Sequence, residues 1–332
     1  MTNNPPRPVV LTGDRPTGSL HLGHFVGSLQ NRLRLQEDHR QFILLADAQA
    51  LTDNADEPDR IGRNVIEVAL DYLAVGIDPA KSVICVQSQL PALAELSMLL
   101  LNYVTVSRLE RNPTVKQEIG QRGFQRDIPA GFLCYPVAQA ADIIGFKAEA
   151  VPVGEDQLPM IEQSNELVRR INRQCGNDLL PEAVAILSSV TRLPGIDGRA
   201  KMSKSAGNAI SLSASSEQIS AAVRAMFTDP DHFRVSDPGR VEGNMVFTYL
   251  DAFDEFPEEV EALKAHYRRG GLGDMALKQR LEARLQSLIA PIRERRSDLA
   301  RQPDLVVDML RTGTQCAAAT TQQTLDEIRT AL

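Results

Sequence analysis

The chain has 332 residues, 36 of them basic and 43 acidic, for a net charge of −7; 43% is hydrophobic and 24% charged. That is the balance of a folded globular protein with room for a large domain and a smaller second one. It excludes a chain that is basic overall, so any polyanion must be held by local basic patches, and no stretch reads as a signal peptide or a membrane span.

The first element is Val9-Val10-Leu11, a short apolar strand. A Gly/Pro loop, Thr12 to Ser19, comes next, and then a helix start with Leu22, Phe25, Val26, Leu29 and Leu33 at helical spacing. A strand–loop–helix start turns backbone N–H groups and the positive end of the helix dipole toward the loop, which favours anions. The loop is neither GxxxxGK[ST] nor GxGxxG. It offers two imidazoles instead, His21 and His24, with Gly23 between them admitting a flat ring to the backbone. No carboxylate or cysteine stands nearby at ligand spacing. Donors aimed at a phosphoryl group therefore describe the pair better than a metal site does.

Further strands are expected at Phe42–Ala46, Ser82–Val86 and Ala150–Val153, separated by helices such as Arg60–Val75 and Pro91–Tyr103. The alternation predicts a doubly wound α/β fold with a parallel sheet. Tyr135 to Ile144 reads as an apolar helix that carries one carboxylate, Asp142, which is costly unless a donor satisfies it. An Arg-paired Asp is the bland reading, and a ligand acceptor the functional one. Val151-Pro152-Val153-Gly154-Glu155-Asp156-Gln157 then reads as a strand ending in a polar turn, where parallel sheets bind ligands. Asp156 suits a ribose hydroxyl, and Gln157 an amino or carboxylate group.

Next comes Lys201-Met202-Ser203-Lys204-Ser205, in a stretch opened by Gly195 and Gly198 and closed by Gly207. Lysines and hydroxyls on a mobile loop suit an enzyme that grips a triphosphate and releases pyrophosphate. Beyond a boundary placed near residue 209 the chain reads as helical, with a capping box at Ser215 to Gln218 and breaks at Asp229-Pro230, Pro238-Gly239 and Gly270-Gly271. Lys278, Arg280, Arg284, Arg293, Arg295 and Arg296 form a basic run, read either as a nucleic-acid patch or as a solvated helix face. Cys85, Cys134, Cys175 and Cys316 are widely spaced and form no CxxC, which fits a reducing cytosol.

His-Leu-Gly-His and Lys-Met-Ser-Lys-Ser together resemble the signature pair of the class I aminoacyl-tRNA synthetases. Tyr135 to Ile144 and Val151 to Gln157 are similar to the strings YPV-x-x-AADI and VPVGEDQ of the tryptophanyl-tRNA synthetase family, and the resemblance runs over most of the chain. It implies a Rossmann-like catalytic domain over residues 1–208 and a helical, anticodon-reading domain over 209–332. The implied reaction is attachment of L-tryptophan to tRNA(Trp) with ATP and Mg²⁺. No tightly bound cofactor and no protein-held metal are implied. A cytoplasmic homodimer is, with residues 105–185 at its interface.

The resemblance also implies roles by position. His21, His24, Lys116, Lys201 and Lys204 would act on the phosphates, with Lys116 reaching them from a loop. ATP would be held by Arg15, Gly23, His24, Gly154, Asp156 and the loop residues Lys201, Met202, Ser203 and Lys204. Tryptophan would lie among Leu11, Gln139, Val151 and Val153. Its indole N–H would go to Asp142, and its α-amino group to Tyr135 and Gln157. A ligand lacking that N–H would leave Asp142 buried and unpaired, which discriminates strongly without editing. Two alternatives stay open. Tyr135, Gln139 and Asp142 also match the spacing of the tyrosyl family, and a non-acylating relative could bind tryptophan or RNA. Arg15, Gln49 and Gln139 depart from common bacterial patterns, which leaves the detail of ATP and indole binding open.

Overall fold

Five apolar runs build one parallel sheet: β1 (Val9–Asp14), β2 (Arg40–Leu45), β3 (Ser82–Val86), β4 (Ala150–Val153) and β5 (Val184–Leu187). Their order is β3-β2-β1-β4-β5, the doubly wound order expected from the alternation. Sequence pattern finds the first four. It misses β5, which is short and partly exposed along its length, so no buried apolar run marks it. In this computed structural model residues 7–52, 54–124, 127–187, 193–198, 202 and 207–332 are described. Among them no helix is long and apolar enough to cross a membrane.

Contacts divide the chain into two compact units, each continuous in space but not in sequence. The first is Met1–Gly18 with Asn31–Ser188 and Gln302–Leu332; the second is Ser19–Gln30 with Ser189–Arg301. A single cut near residue 209 does not reproduce this division.

The first unit holds the sheet. Strand β2 is buried from Gln41 to Leu45, as a central parallel strand must be. β1 meets β4 at Val10↔Ala150, close to the amino ends of both strands, and the order of the sheet reverses between them. Crevices that take ligands open at such a switch point, beyond the carboxyl ends. Leu11, Phe42, Ile143, Phe146 and Val151 share one buried apolar cluster with Cys85 and Leu93. Helix Ala130–Gly145 packs against helices Pro91–Leu101 and Leu158–Cys175, which explains its nearly all-apolar sequence.

The last helix, Pro303–Ala331, belongs to this sheet unit and not to the preceding helices. It lies on β3: Thr314 Oγ1 accepts the Val86 N–H at 3.1 Å. A Cβ on Gly313 would sit 2.1 Å from the Ile84 carbonyl oxygen, so glycine is required there for the backbones to approach.

The second unit is helical from Ser216–Ala225 onward, through Met245–Phe253, Pro257–Arg269 and the 27-residue helix Asp274–Ala300. The long helix buries Leu277, Leu281, Leu285, Ile289 and Ile292, a stripe at three- and four-residue spacing. Ser215 caps Ser216–Ala225 in a reciprocal box with Gln218, as the sequence predicts. Into this unit the segment Leu20–Leu22 is stitched by two backbone bonds, Leu22 N–H to Ile210 at 3.0 Å and Leu212 N–H to Leu20 at 3.1 Å.

Candidate active site

In the second unit, the His-Leu-Gly-His turn is a capping box built from histidines. The Gly23 N–H donates to His21 Nδ1 at 3.1 Å, and the His21 N–H donates to His24 Nδ1 at 3.2 Å. A nitrogen that accepts carries no proton, so each neutral ring holds its proton on Nε2. The two rings lie 3.9 Å apart between centroids, tilted by 46°. Nε2 is thus the donor atom of each ring, the kind of group that stabilises an anionic oxygen. Gly23 does admit a flat ring to the backbone, and in this structure that ring is the His21 imidazole. A Cβ on Gly23 would sit 2.9 Å from His21 Cε1 and 3.0 Å from Nδ1.

Past the turn, the chain departs from the regular helix that the apolar spacing predicts. Leu22–His24 is a single helical turn, Phe25–Leu29 is π-helical, and α-helix resumes at Gln30–Leu35. Phe25, Val26 and Leu29 are buried all the same. Such π-helical segments recur at functional sites.

Of the lysine loop, only Met202 is described; Lys201, Ser203, Lys204 and Ser205 lie outside the described residues. Met202 is buried, and its sulfur lies 3.3 Å from the Gly23 nitrogen, accepting weakly from that N–H. The signature motifs therefore touch within one unit.

In the first unit, Asp142 is 5% exposed in helix Ala130–Gly145. Its partner is an amide, not the arginine of the bland reading. Gln87 Nε2 donates to both carboxylate oxygens, at 3.0 and 2.8 Å. Burial pushes the Asp142 pKa up to about 7, with the Gln87 hydrogen bond opposing the rise. Leu11 and Val151 lie in the apolar cluster with Ile143, and Val153 packs against it. Gln139 is half-buried one helical turn before Asp142. Tyr135, also half-buried, donates its hydroxyl to Glu118 at 3.0 Å.

At the carboxyl end of β4, Gly154 leads into a 3-10 turn, Glu155–Gln157. Gln157 Nε2 donates to Asp156 Oδ2 at 3.2 Å, and Thr114 Oγ1 donates to the Asp156 carbonyl at 2.7 Å. That second bond ties the helix Pro113–Arg122 to the turn, and Lys116 lies on this helix, not in a loop. Lys116 is exposed in the first turns of helix Pro113–Arg122, capped by Asn112 with Pro113 at N1. Asn112-Pro113 is the sequence signal for this helix, since Asn-Pro opens a helix as readily as it marks a loop. Arg15 is exposed in the loop after β1.

The basic run on helix Asp274–Ala300 is largely committed to the unit's own structure. Arg280 forms a forked pair with Asp254 at 2.6 and 3.1 Å, and Arg284 lies 3.4 Å from the same carboxylate, whose side chain has no exposure. Lys278 donates to the carbonyls of Arg224 and Met226, and burial lowers its pKa; Arg293 donates to the Ala214 carbonyl. These four side chains are partly buried and already paired within the unit. Among the described residues, no group of three His, Cys, Asp or Glu side chains is placed to hold a metal.

A family model described as tRNA synthetases class I (W and Y) matches residues 3–290. The chain is 57% identical over 325 residues to a tryptophan–tRNA ligase of Clostridium longisporum, covering 97% of this chain and 95% of that protein. Against the tryptophan–tRNA ligase of Lactococcus lactis it is 54% identical over 333 residues, 98% of each. The fold is similar to the tryptophanyl-tRNA synthetase from Campylobacter jejuni complexed with ADP and tryptophan, with a TM-score of 0.83 and 29% identity over 96% of this chain and 98% of that one.

Proposed function

Because the chain belongs to the class I tRNA synthetases of the tryptophan and tyrosine group, we propose that it is the tryptophan enzyme of that group, joining L-tryptophan to tRNA(Trp) with ATP. The observation that carries the choice of amino acid is the carboxylate of Asp142, buried beside the apolar cluster of Leu11 and Val151. A flat apolar ring with one N–H is the ligand such a place suits.

The tryptophan carboxylate attacks the α-phosphorus of ATP in line, and pyrophosphate leaves. No covalent bond to the protein forms, so catalysis is positioning and charge stabilisation. His21 and His24 donate from Nε2 to nucleotide phosphate oxygens, a role supported by the tautomers that their own caps impose. Lys201, Lys204 and Lys116 neutralise the pyrophosphate as its charge grows, with Mg²⁺ carried in on the triphosphate. Arg15, Gly23, Gly154, Met202 and Ser203 contribute to the ATP site, and Asp156 holds the ribose. Asp142 accepts the indole N–H, Gln139 and Val153 line the ring, and Tyr135 and Gln157 hold the α-amino group. The 2′-hydroxyl of the terminal adenosine of tRNA(Trp) then attacks the adenylate. The enzyme acts as a homodimer, and its helical unit carries the anticodon contacts.

Charging of tRNA(Trp) transcript with labelled tryptophan tests this directly. ATP-dependent, acid-precipitable label with tryptophan is expected. Adenylate formation without transfer would reduce the reading to an activating enzyme, and neither step would leave only a tryptophan-binding relative.

A further inference from the structure

Gln87 opens the 3-10 turn Gln87–Gln89 directly after β3 and is 8% exposed. One nitrogen bridging both oxygens of Asp142, at 3.0 and 2.8 Å, fixes the plane of that carboxylate. The other end of the amide is fixed too: Gln87 Oε1 accepts the Gln49 backbone N–H at 3.0 Å. An amide with an N–H donor on one side and a carboxylate on the other has a single orientation that satisfies both. The backbone around it is also held, since the Val86 N–H donates to Thr314 and the Ser88 N–H to Asp47, at 3.1 and 2.9 Å.

We infer that Gln87 is a specificity-determining positioning residue, which holds the Asp142 carboxylate in the plane in which it accepts the indole N–H of tryptophan. The inference rests on Asp142 being the indole acceptor. The amide acts on charge as well as on orientation. Burial drives Asp142 toward its protonated form, and the Gln87 donor opposes that. A protonated carboxyl can turn its own O–H toward the ligand, setting donor against donor. Among the described residues these two influences account for the shift of Asp142. Cys85 on β3 feels Asp142, and burial keeps its thiol neutral. Among the described residues, therefore, no charged neighbour substitutes for the amide.

The test compares Gln87→Met and Gln87→Glu with the parent in ATP–pyrophosphate exchange. The substrates are L-tryptophan and the benzothiophene isostere of its side chain, in which sulfur replaces the N–H. Gln87→Met keeps the length and loses the donor. Preference for tryptophan over the isostere should fall about tenfold or more, chiefly through KM, in line with sites that select on a single donor. The pH at which tryptophan use is half-maximal should move up; raising the pH then restores the charge of Asp142 but not its orientation, so preference recovers only in part. Gln87→Glu sets carboxyl against carboxyl, and the pair can share one proton. Its preference should fall as pH rises, the opposite trend, which a merely structural role would not produce. Unchanged preference and an unchanged midpoint in Gln87→Met would overturn the inference, as would parallel pH trends in the two variants. Asp142→Ala separates the layers. If it abolishes preference while Gln87→Met keeps it, the role of Gln87 fails and that of Asp142 stands; if neither variant moves the preference, the reading of Asp142 fails first.

Discussion

At the His21–His24 turn the side chains fasten the backbone, whereas at Asp142 the side chains fasten one another. The turn closes within four residues, each ring accepting a neighbouring N–H at 3.1 or 3.2 Å, and its chemical output is the proton left on Nε2. Asp142 is held by a residue 55 positions away, and its output is a buried charge. The first device is closed by local bonds, with Met202, Ile210 and Leu212 fastening it from the same unit. The second exists only once β3 and helix Ala130–Gly145 have come together. A local device suits a group that must keep one tautomer, and a long-range device suits a carboxylate that must stay dry and yet ionised.

The sharpest contrast comes from substitutions that separate rate from selection. Lys204→Ala should lower the single-turnover rate of adenylate formation by about 10²–10³-fold, while tryptophan affinity changes far less, because the lysine acts on developing charge. An unchanged rate would remove that role. His21→Asn tests the turn itself. Asn is a strong N-cap and can keep the local bonds, but it places no donor at the position of Nε2. Adenylation should fall about 10²-fold with Tm nearly constant, and a large drop in Tm would show that the ring serves structure alone.

At the other region the expected effect is on selection and on pH dependence. Asp142→Ala should cut the kcat/KM preference for tryptophan over phenylalanine by at least about tenfold. Stability should move the opposite way in Asp142→Asn. The folded pKa of Asp142, about 7, stands above its ordinary value of 3.8, so the folded state holds this proton longer. The stability it gives is complete below pH 4 and is lost as pH rises to 7. The neutral isostere escapes that loss. It should be more stable than the parent by about 4 kcal/mol at pH 8, with the difference vanishing near pH 4. Denaturant melts at the two pH values decide the matter.

The smallest expected effect concerns the basic helix. Arg280→Ala should cost about 1–2 kcal/mol of stability by removing the forked pair from the Asp254 carboxylate, which keeps Arg284 and the Phe256 N–H, and should leave the salt dependence of tRNA binding unchanged. A shallower salt slope would return Arg280 to the RNA-binding surface.

Much of the site is legible in the order of the amino acids. Val9 to Leu11, the glycine loop and the two histidines announce a strand, an anion site and a helix start by local chemistry. Asp142 announces itself as a charge among Ala, Ile and Phe. Gln87 does not, because a glutamine after a strand is ordinary until Asp142 is folded against it. The π-helical Phe25–Leu29 carries an apolar spacing that an α-helix would also satisfy. The last helix looks like its neighbours in sequence; its place on the sheet rests on residues such as Gly313 against the Ile84 carbonyl and Thr314 against the Val86 N–H, whose reasons lie on another strand. The partners of the basic run stay hidden for a related reason, since the acids that bind Arg280 are Asp254 and Glu259 on other segments.

ATP–pyrophosphate exchange with tryptophan and tyrosine side by side, in the parent and in Asp142→Ala, tests the central claim most directly. Exchange with tryptophan alone in the parent, and a loss in Asp142→Ala that appears as a raised KM for tryptophan, is the expected result. Exchange driven by tyrosine in the parent would contradict it, making Tyr135, Gln139 and Asp142 a site for a phenol instead of an indole.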